Sequence, residues 1–337
     1  ILSLLISSLA TSTIITMSSY HWLLAWLALE MNTLSILPLI IKHHHPRATE
    51  ATTKYFLIQT TAAAMILFAS TLNAWQTGQW SIMHTAPYAT AIIALALLLK
   101  LGLAPMHAWY PEVLQGSTMN TAMIMSTWQK LAPMALLYMI NNTLHSNIIL
   151  MMGLLSALVG GWTGLNQTQT RKIMAFSSIA HMGWLIITLN MDLNLTTLTM
   201  MIYIIMTTAM FMMLNITATK TLIDIGTMWS YAPPLLIMMM ITLMSLGGLP
   251  PLTGFIPKWL ILNALCHTKL LLPSIILALT SLPSLFFYIR MAYFTSLTTA
   301  PSTTNTQHTW RFYAPPTRLL MLTMMTATLL LPMTPMM

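Results

Sequence analysis

The chain has 337 residues, of which 57% are hydrophobic and only 5% are charged. So few charges cannot solvate a water-soluble fold of this size, which excludes the soluble globular classes and leaves an all-α polytopic membrane protein. The net charge of +8 comes from basic residues scattered through short loops and apolar runs, not gathered in a stripe, which argues against nucleic acid as a partner.

Apolar windows bounded by turn and charge signals predict eleven transmembrane helices. The first five fall at 1–19, 21–41, 55–75, 88–106 and 119–140, and the next three at 148–165, 172–190 and 195–219. The opening residues lead straight into further spans and carry no basic region or cleavage site, so no removable signal is expected. Span four reads KLGLAPMHAWYPEV, in which Lys100 precedes Gly102, Pro105 and Pro111. The segment 107–118 after it reads as a loop. The ninth apolar run, 235–266, is too long for one perpendicular crossing, because ~20 helical residues already traverse the hydrocarbon core. Its middle holds Gly247, Gly248, Pro250 and Pro251, which remove donors and loosen the helix, so a break is expected there. Spans at 270–297 and 317–333 follow, separated by a polar loop at 298–316. Pro133, Pro273 and Pro283 read as ordinary kinks.

The two interrupted spans, four and nine, lie an odd number of helices apart and so cross in opposite directions. Such a pair in corresponding positions points to an inverted repeat, with 1–140 as the first half and 148–297 as the second. The polar loop and a C-terminal helix, 317–337, lie outside it. Lys and Arg collect in the loops after even-numbered spans, while odd-numbered loops carry only Lys269. That asymmetry places the N-terminus on the positive side and the C-terminus on the other.

Four ionisable residues fall well inside predicted spans: Glu30, Lys100, Lys130 and Lys258. Each charge at a helix centre costs roughly 2.5–3.5 kcal/mol on insertion scales, so a set of four points to a pathway. A lysine whose pKa is drawn down by burial and up by a carboxylate can exchange a proton when its partner moves. Glu30 is therefore read as the modulator of Lys100, and Lys100, Lys130 and Lys258 as successive proton carriers. His181 holds the place in span seven that Glu30 holds in span two, and is a possible relay. The plainer readings are an interfacial anchor for Lys100 and a packing histidine for His181.

Other features carry less. The run His43, His44 and His45 reads as a solvated loop, since adjacent side chains do not converge on a metal, and no metal site is expected. Cys266 is the single cysteine, which leaves no disulfide framework, iron–sulfur ligation or cysteine-type zinc site. The 33 methionines are spread through nearly every span and read as apolar filler. No phosphate-binding loop or dinucleotide fingerprint is present.

The segments HWLLAWLALEMNTLSILPLI around Glu30, HHHPRATEATTKYFLIQ, KLGLAPMHAWYPEVLQGS with Lys100 and STWQKLAP with Lys130 form a specific set. GLNQTQTRKIMAFSSIAHMGW with His181 and SLGGLPPLTGFIPKW with Lys258 complete it. Together, over essentially the whole chain, they resemble the antiporter-like membrane-arm subunits of mitochondrial NADH:ubiquinone oxidoreductase, respiratory complex I, and among them the animal subunit 2 family. The resemblance implies inverted five-helix repeats with two discontinuous helices. It also implies a central hydrophilic axis through Glu30, Lys100, Lys130 and Lys258, and proton pumping coupled to NADH:ubiquinone electron transfer. It further implies the mitochondrial inner membrane, with the N-terminus in the matrix and the C-terminus on the intermembrane-space side. The partners would be other membrane-arm subunits and the lipid bilayer. No cofactor would be bound by this chain, with NADH, FMN, iron–sulfur clusters and ubiquinone held by other subunits. A stand-alone cation/proton antiporter and a scaffold without its own proton path are the alternatives.

Overall fold

The structure, a computed structural model, describes residues 2–42, 44–227, 233–296 and 318–330. Among the described residues there are fifteen α-helices, two three-residue 3-10 turns and no β-strand. The chain divides into two compact units, Ile1–Gly153 and Leu154–Met337.

The first unit holds α1 (Leu2–Ser18), α2 (Trp22–Ile41), α3 (Pro46–Thr77), α4 (Pro87–Leu101) and α5 (Trp109–Gly116). After α6 (Met119–Ser126) comes a 3-10 turn, Trp128–Lys130, then α7 (Leu131–Met139) and a second 3-10 turn, Asn141–Thr143. Helix α3 is the hub, packing on α2, α4 and α5, while α7 packs on α1 and α4. The boundary between the units falls inside α8 (Ser146–Gly164).

The second unit holds α9 (Thr170–Leu189), α10 (Leu193–Thr217), α11 (Leu222–Thr227) and α12 (Pro233–Gly247). It continues with α13 (Phe255–His267), α14 (Leu271–Ser296) and α15 (Arg318–Leu329). Helix α10 contacts α9, α12, α13 and α15, and α14 packs on α9, α11, α12 and α13. In the membrane-length window of α9, 89% of residues are buried, which makes it the core helix of this unit.

Six described helices are long and apolar enough to cross a membrane: α2, α3, α8, α9, α10 and α14. Helices α4 and α12 have 15 residues each. At 1.5 Å per residue each rises only about 22 Å, short of the ~30 Å hydrocarbon core. Each is continued beyond a break by a short helix, α5 or α13.

Local chemistry sets the helix ends. Pro46 and Pro87 open α3 and α4, where a missing N–H leaves no bond unmade. His45 caps α3 by accepting from Arg47 N–H at 3.2 Å, and Asp192 caps α10 by accepting from Asn194 N–H at 3.0 Å. Gly102 ends α4 at φ +74°, a left-handed conformation that a Cβ disfavours.

Several sequence expectations are corrected. Helix α3 starts at 46 instead of 55, because His45 and Pro46 start it within the charged segment. The segment 107–118 is not all loop, since it contains α5. Span five is not one continuous helix. Pro133 cannot donate to the carbonyl four residues back, and the chain tightens into the 3-10 turn at Trp128–Lys130 before α7 resumes. Pro273 lies in the first turn of α14, where it breaks no bond, while Pro283 lies inside that helix. His43, the polar loop 298–316 and residues 331–337 of the C-terminal segment lie outside the described residues.

Candidate functional site

In each unit a cavity beside the broken helix takes in a buried lysine. In the first unit the cavity is lined by Lys100, Lys130, Asn32, Thr33, Gln59, Gln129 and aromatic and apolar side chains. Lys100 reaches it from the last turn of α4 and Lys130 from the 3-10 turn. Their exposures are 7% and 3%, so neither is an anchor in the interface with solvent.

Polar side chains orient the site. Gln129 Nε2 donates to Asn32 Oδ1 at 3.0 Å, tying the 3-10 turn to α2. Gln59 Nε2, from α3, donates to the Lys100 carbonyl at 3.5 Å, where the end of α4 leaves that oxygen without a helical partner. Glu30 is half-buried and is not part of the lining. It reaches the cavity through Thr33, whose hydroxyl donates to Glu30 Oε2 at 3.2 Å. Among the described residues Glu30 makes no direct ion pair with Lys100. Lys100 Nζ is buried with no hydrogen-bond partner among the described residues.

Gly102 and Pro105 lie at the break that follows this lysine. A Cβ on Gly102 would lie 3.2 Å from Tyr110 Cβ, so glycine is needed for close approach as well as for φ. The chain then passes Pro105 and re-enters helix at α5, which brings Trp109 and Tyr110 to the cavity wall.

In the second unit a cavity is lined by His181, Tyr203, Thr199, Gly254 and Lys258 among others. Lys258, in the first turn of α13, donates from Nζ to the Gly247 carbonyl at 2.8 Å, filling the acceptor that the end of α12 leaves open. Gly248 takes φ +80°, and a Cβ there would lie 2.9 Å from Lys258 Cδ. A Cβ on Gly254 would fall 1.8 Å from the Ser245 carbonyl oxygen, so the chain after the break folds hard against α12. Pro250 and Pro251 occupy the turn between. His181 Nε2 and Tyr288 Oη of α14 are 3.2 Å apart, and the Tyr203 ring lies 6.0 Å from the imidazole.

The structure therefore gathers Lys100 and Lys130 with Glu30 close by, and separately His181 with Lys258. Sequence reading passes over Tyr110, Gln59, Gln129 and Tyr288, which are ordinary residues until the fold assembles them. Arg290 is passed over as well, although it lies inside span ten and its in-span charge could have marked it; it donates from Nη1 to the Leu165 carbonyl at 2.8 Å.

Residues 19–284 match the NADH:quinone oxidoreductase/Mrp antiporter transmembrane family, and 285–337 match the NADH dehydrogenase subunit 2 C-terminus. NADH-ubiquinone oxidoreductase chain 2 of Xenopus laevis is 49% identical over 335 residues, covering 99% of this chain and 97% of that one. The chain 2 of Salmo salar is 53% identical over 312 residues, covering 92% and 89%. The chain belongs to the NADH-ubiquinone oxidoreductase chain 2 family. A chain in the structure of respiratory complex I from Thermus thermophilus with bound aureothin shares its fold. The TM-score is 0.85 at 24% identity, over 97% of this chain and 75% of that one. This chain 2 family member thus has the antiporter-like helical fold, and the broken helices described above belong to it.

Proposed function

We propose that the chain is a proton-translocating membrane-arm subunit of respiratory complex I, with Lys100 and Lys130 as proton carriers and Glu30 as the charge that biases Lys100. Lys258 is the carrier of the second unit, with His181 as its relay. The observation that carries this reading is the burial of Lys100 and Lys130 at one polar cavity, with the Lys100 ammonium unpartnered. Two lysines lining one cavity can serve as donor and acceptor of the same proton. A change in the Glu30 environment alters that exchange, and a coupling signal can enter there as a shift of charge or hydration.

The chain is a multi-pass subunit of the mitochondrial inner membrane and takes part in an enzyme complex. NADH, FMN, iron–sulfur clusters and ubiquinone are assigned to other subunits, and adjoining membrane-arm subunits and lipid are its partners. The positive loops support an N-terminus in the matrix and a C-terminus on the intermembrane-space side. Glu30 and His181 hold matching places ahead of the two breaks, which supports an inverted repeat of 1–140 and 148–297.

The decisive measurement is proton pumping per NADH oxidised by the assembled complex carrying Lys100→Met. Loss of most pumping is expected, and an unchanged ratio at an unchanged rate would remove Lys100 from the path. Because the matching family also includes Mrp antiporters, a cation-driven exchange is the second reading. Reconstituting the isolated chain and finding sodium- or potassium-dependent proton flux would establish it, and the subunit reading expects none.

A further inference from the structure

Helix α5 has two faces with different duties. Tyr110 and Glu112 are two residues apart, which places them about 200° apart around the helix. On one side Glu112 Oε2 meets Lys54 Nζ of α3 at 2.6 Å, and Lys54 also pairs with Glu50 at 2.6 Å. Gly116, at the end of α5, lies so close to α3 that a Cβ there would sit 2.6 Å from Ala51 Cβ and 2.7 Å from the Arg47 carbonyl oxygen. Helix α5 is thus fixed to α3 by an ion pair and by a backbone approach. On the other side Tyr110 is buried, set edge-on to Trp109 at 5.5 Å, and Trp109 leans on Tyr55 at 5.8 Å. Lys130 Nζ stands 5.0 Å from the centre of the Tyr110 ring.

An aromatic face within about 6 Å attracts an ammonium, and the attraction is greatest where water is excluded. We propose that Tyr110 is a positioning residue for Lys130, its ring holding the ammonium at the cavity wall, and that the attachment of α5 to α3 sets the position of that ring. This rests on the reading of Lys130 as a proton carrier. It gives the break in span four a second purpose. Beyond opening the backbone at Lys100, the break returns an aromatic residue to the neighbouring lysine.

The test measures protons pumped per NADH in the assembled complex for Tyr110→Phe, Tyr110→Leu and Lys130→Met, together with the amount of complex assembled. Phenylalanine keeps the ring face and is expected to pump within about twofold of the unsubstituted protein, whereas leucine is expected to lower pumping about tenfold at equal assembly. Where the leucine variant does not assemble, Tyr110→Met fills similar space without a ring and is read in the same way. Normal pumping by the ring-less variant, or equal loss in the phenylalanine and leucine variants, overturns the inference. Normal pumping by Lys130→Met overturns the carrier reading and this inference with it. Loss of pumping in Lys130→Met beside a normal Tyr110→Leu overturns the role of Tyr110 alone.

Discussion

At the break between α4 and α5 the freed carbonyl of Lys100 accepts from a distant amide, Gln59, whereas between α12 and α13 the freed carbonyl of Gly247 accepts from Lys258 itself. The two lysines share a residue type and a neighbourhood of glycine and proline, yet they are committed differently. Lys258 completes its own backbone break, so its charge also serves the fold. Lys100 leaves that duty to Gln59 and keeps its ammonium uncommitted. A lysine beside a helix break is therefore no single kind of site. The position of the lysine before or after the break decides what its charge can do.

The sharpest way to separate the two breaks is to add one methyl group to each. Gly254→Ala would place a Cβ 1.8 Å from the Ser245 carbonyl oxygen, which no side-chain movement relieves. A loss of more than about 3 kcal/mol is expected, seen as failure to accumulate assembled complex on native gels. Gly102→Ala meets a positive φ and a 3.2 Å contact with Tyr110 Cβ, and is expected to cost about 1–2 kcal/mol, with assembly reduced but retained.

A smaller effect separates the lysines. Lys258→Met leaves the Gly247 carbonyl without its donor, a loss of about 1–3 kcal/mol that should hasten thermal inactivation of the assembled complex. Lys100→Met leaves no acceptor unsatisfied and removes an unpaired buried charge, so its inactivation rate should not rise even though its pumping falls. Equal destabilisation of the two variants would erase the distinction drawn between the breaks.

The smallest effect lies outside the membrane, where the first unit ties α3 to α5 by an ion pair and the second uses a capping carboxylate. Asp224 accepts from Thr221 N–H at 2.8 Å and Lys220 N–H at 3.1 Å. The Thr221 bond first, then Lys220, hold its carboxyl below the usual carboxylate range. A lowered folded-state pKa contributes stability above the unfolded value of roughly 3.9 and loses it as pH falls through the folded value. Acid should therefore loosen the 220–224 turn that opens α11, and Asp224→Asn should abolish that pH dependence. Amide hydrogen exchange at Thr221 is the measurement, followed as pH falls from about 5 to about 2, across and below the unfolded value.

Much of this was legible in the sequence because membranes penalise the same features everywhere. In-span charge marks Glu30, Lys100, Lys130 and Lys258, and Gly247 to Pro251 mark the long break, since each violates what a lipid-exposed helix tolerates. Helix α5 was not legible because Pro105 and Pro111 read as loop punctuation. Pro111 is the third residue of a short helix, where its missing N–H removes no helical bond. The 3-10 turn was hidden for the opposite reason. Pro133 is a single proline in an apolar run, and only the local backbone shows how the chain absorbs it. The residues around the lysines carried no signal at all, because Gln59, Tyr110 and Gln129 acquire meaning only through tertiary proximity.

The 3-10 turn ending at Lys130 has one more consequence. A 3-10 residue advances about 120° and 2.0 Å, an α residue about 100° and 1.5 Å. Recasting the three residues Trp128–Lys130 as α-helix would therefore rotate Lys130 by about 60° relative to α6 and shorten the path by about 1.5 Å. A change of hydrogen-bond register in one turn is thus enough to swing a buried charge from one wall of its cavity toward another, with no hinge and no domain movement.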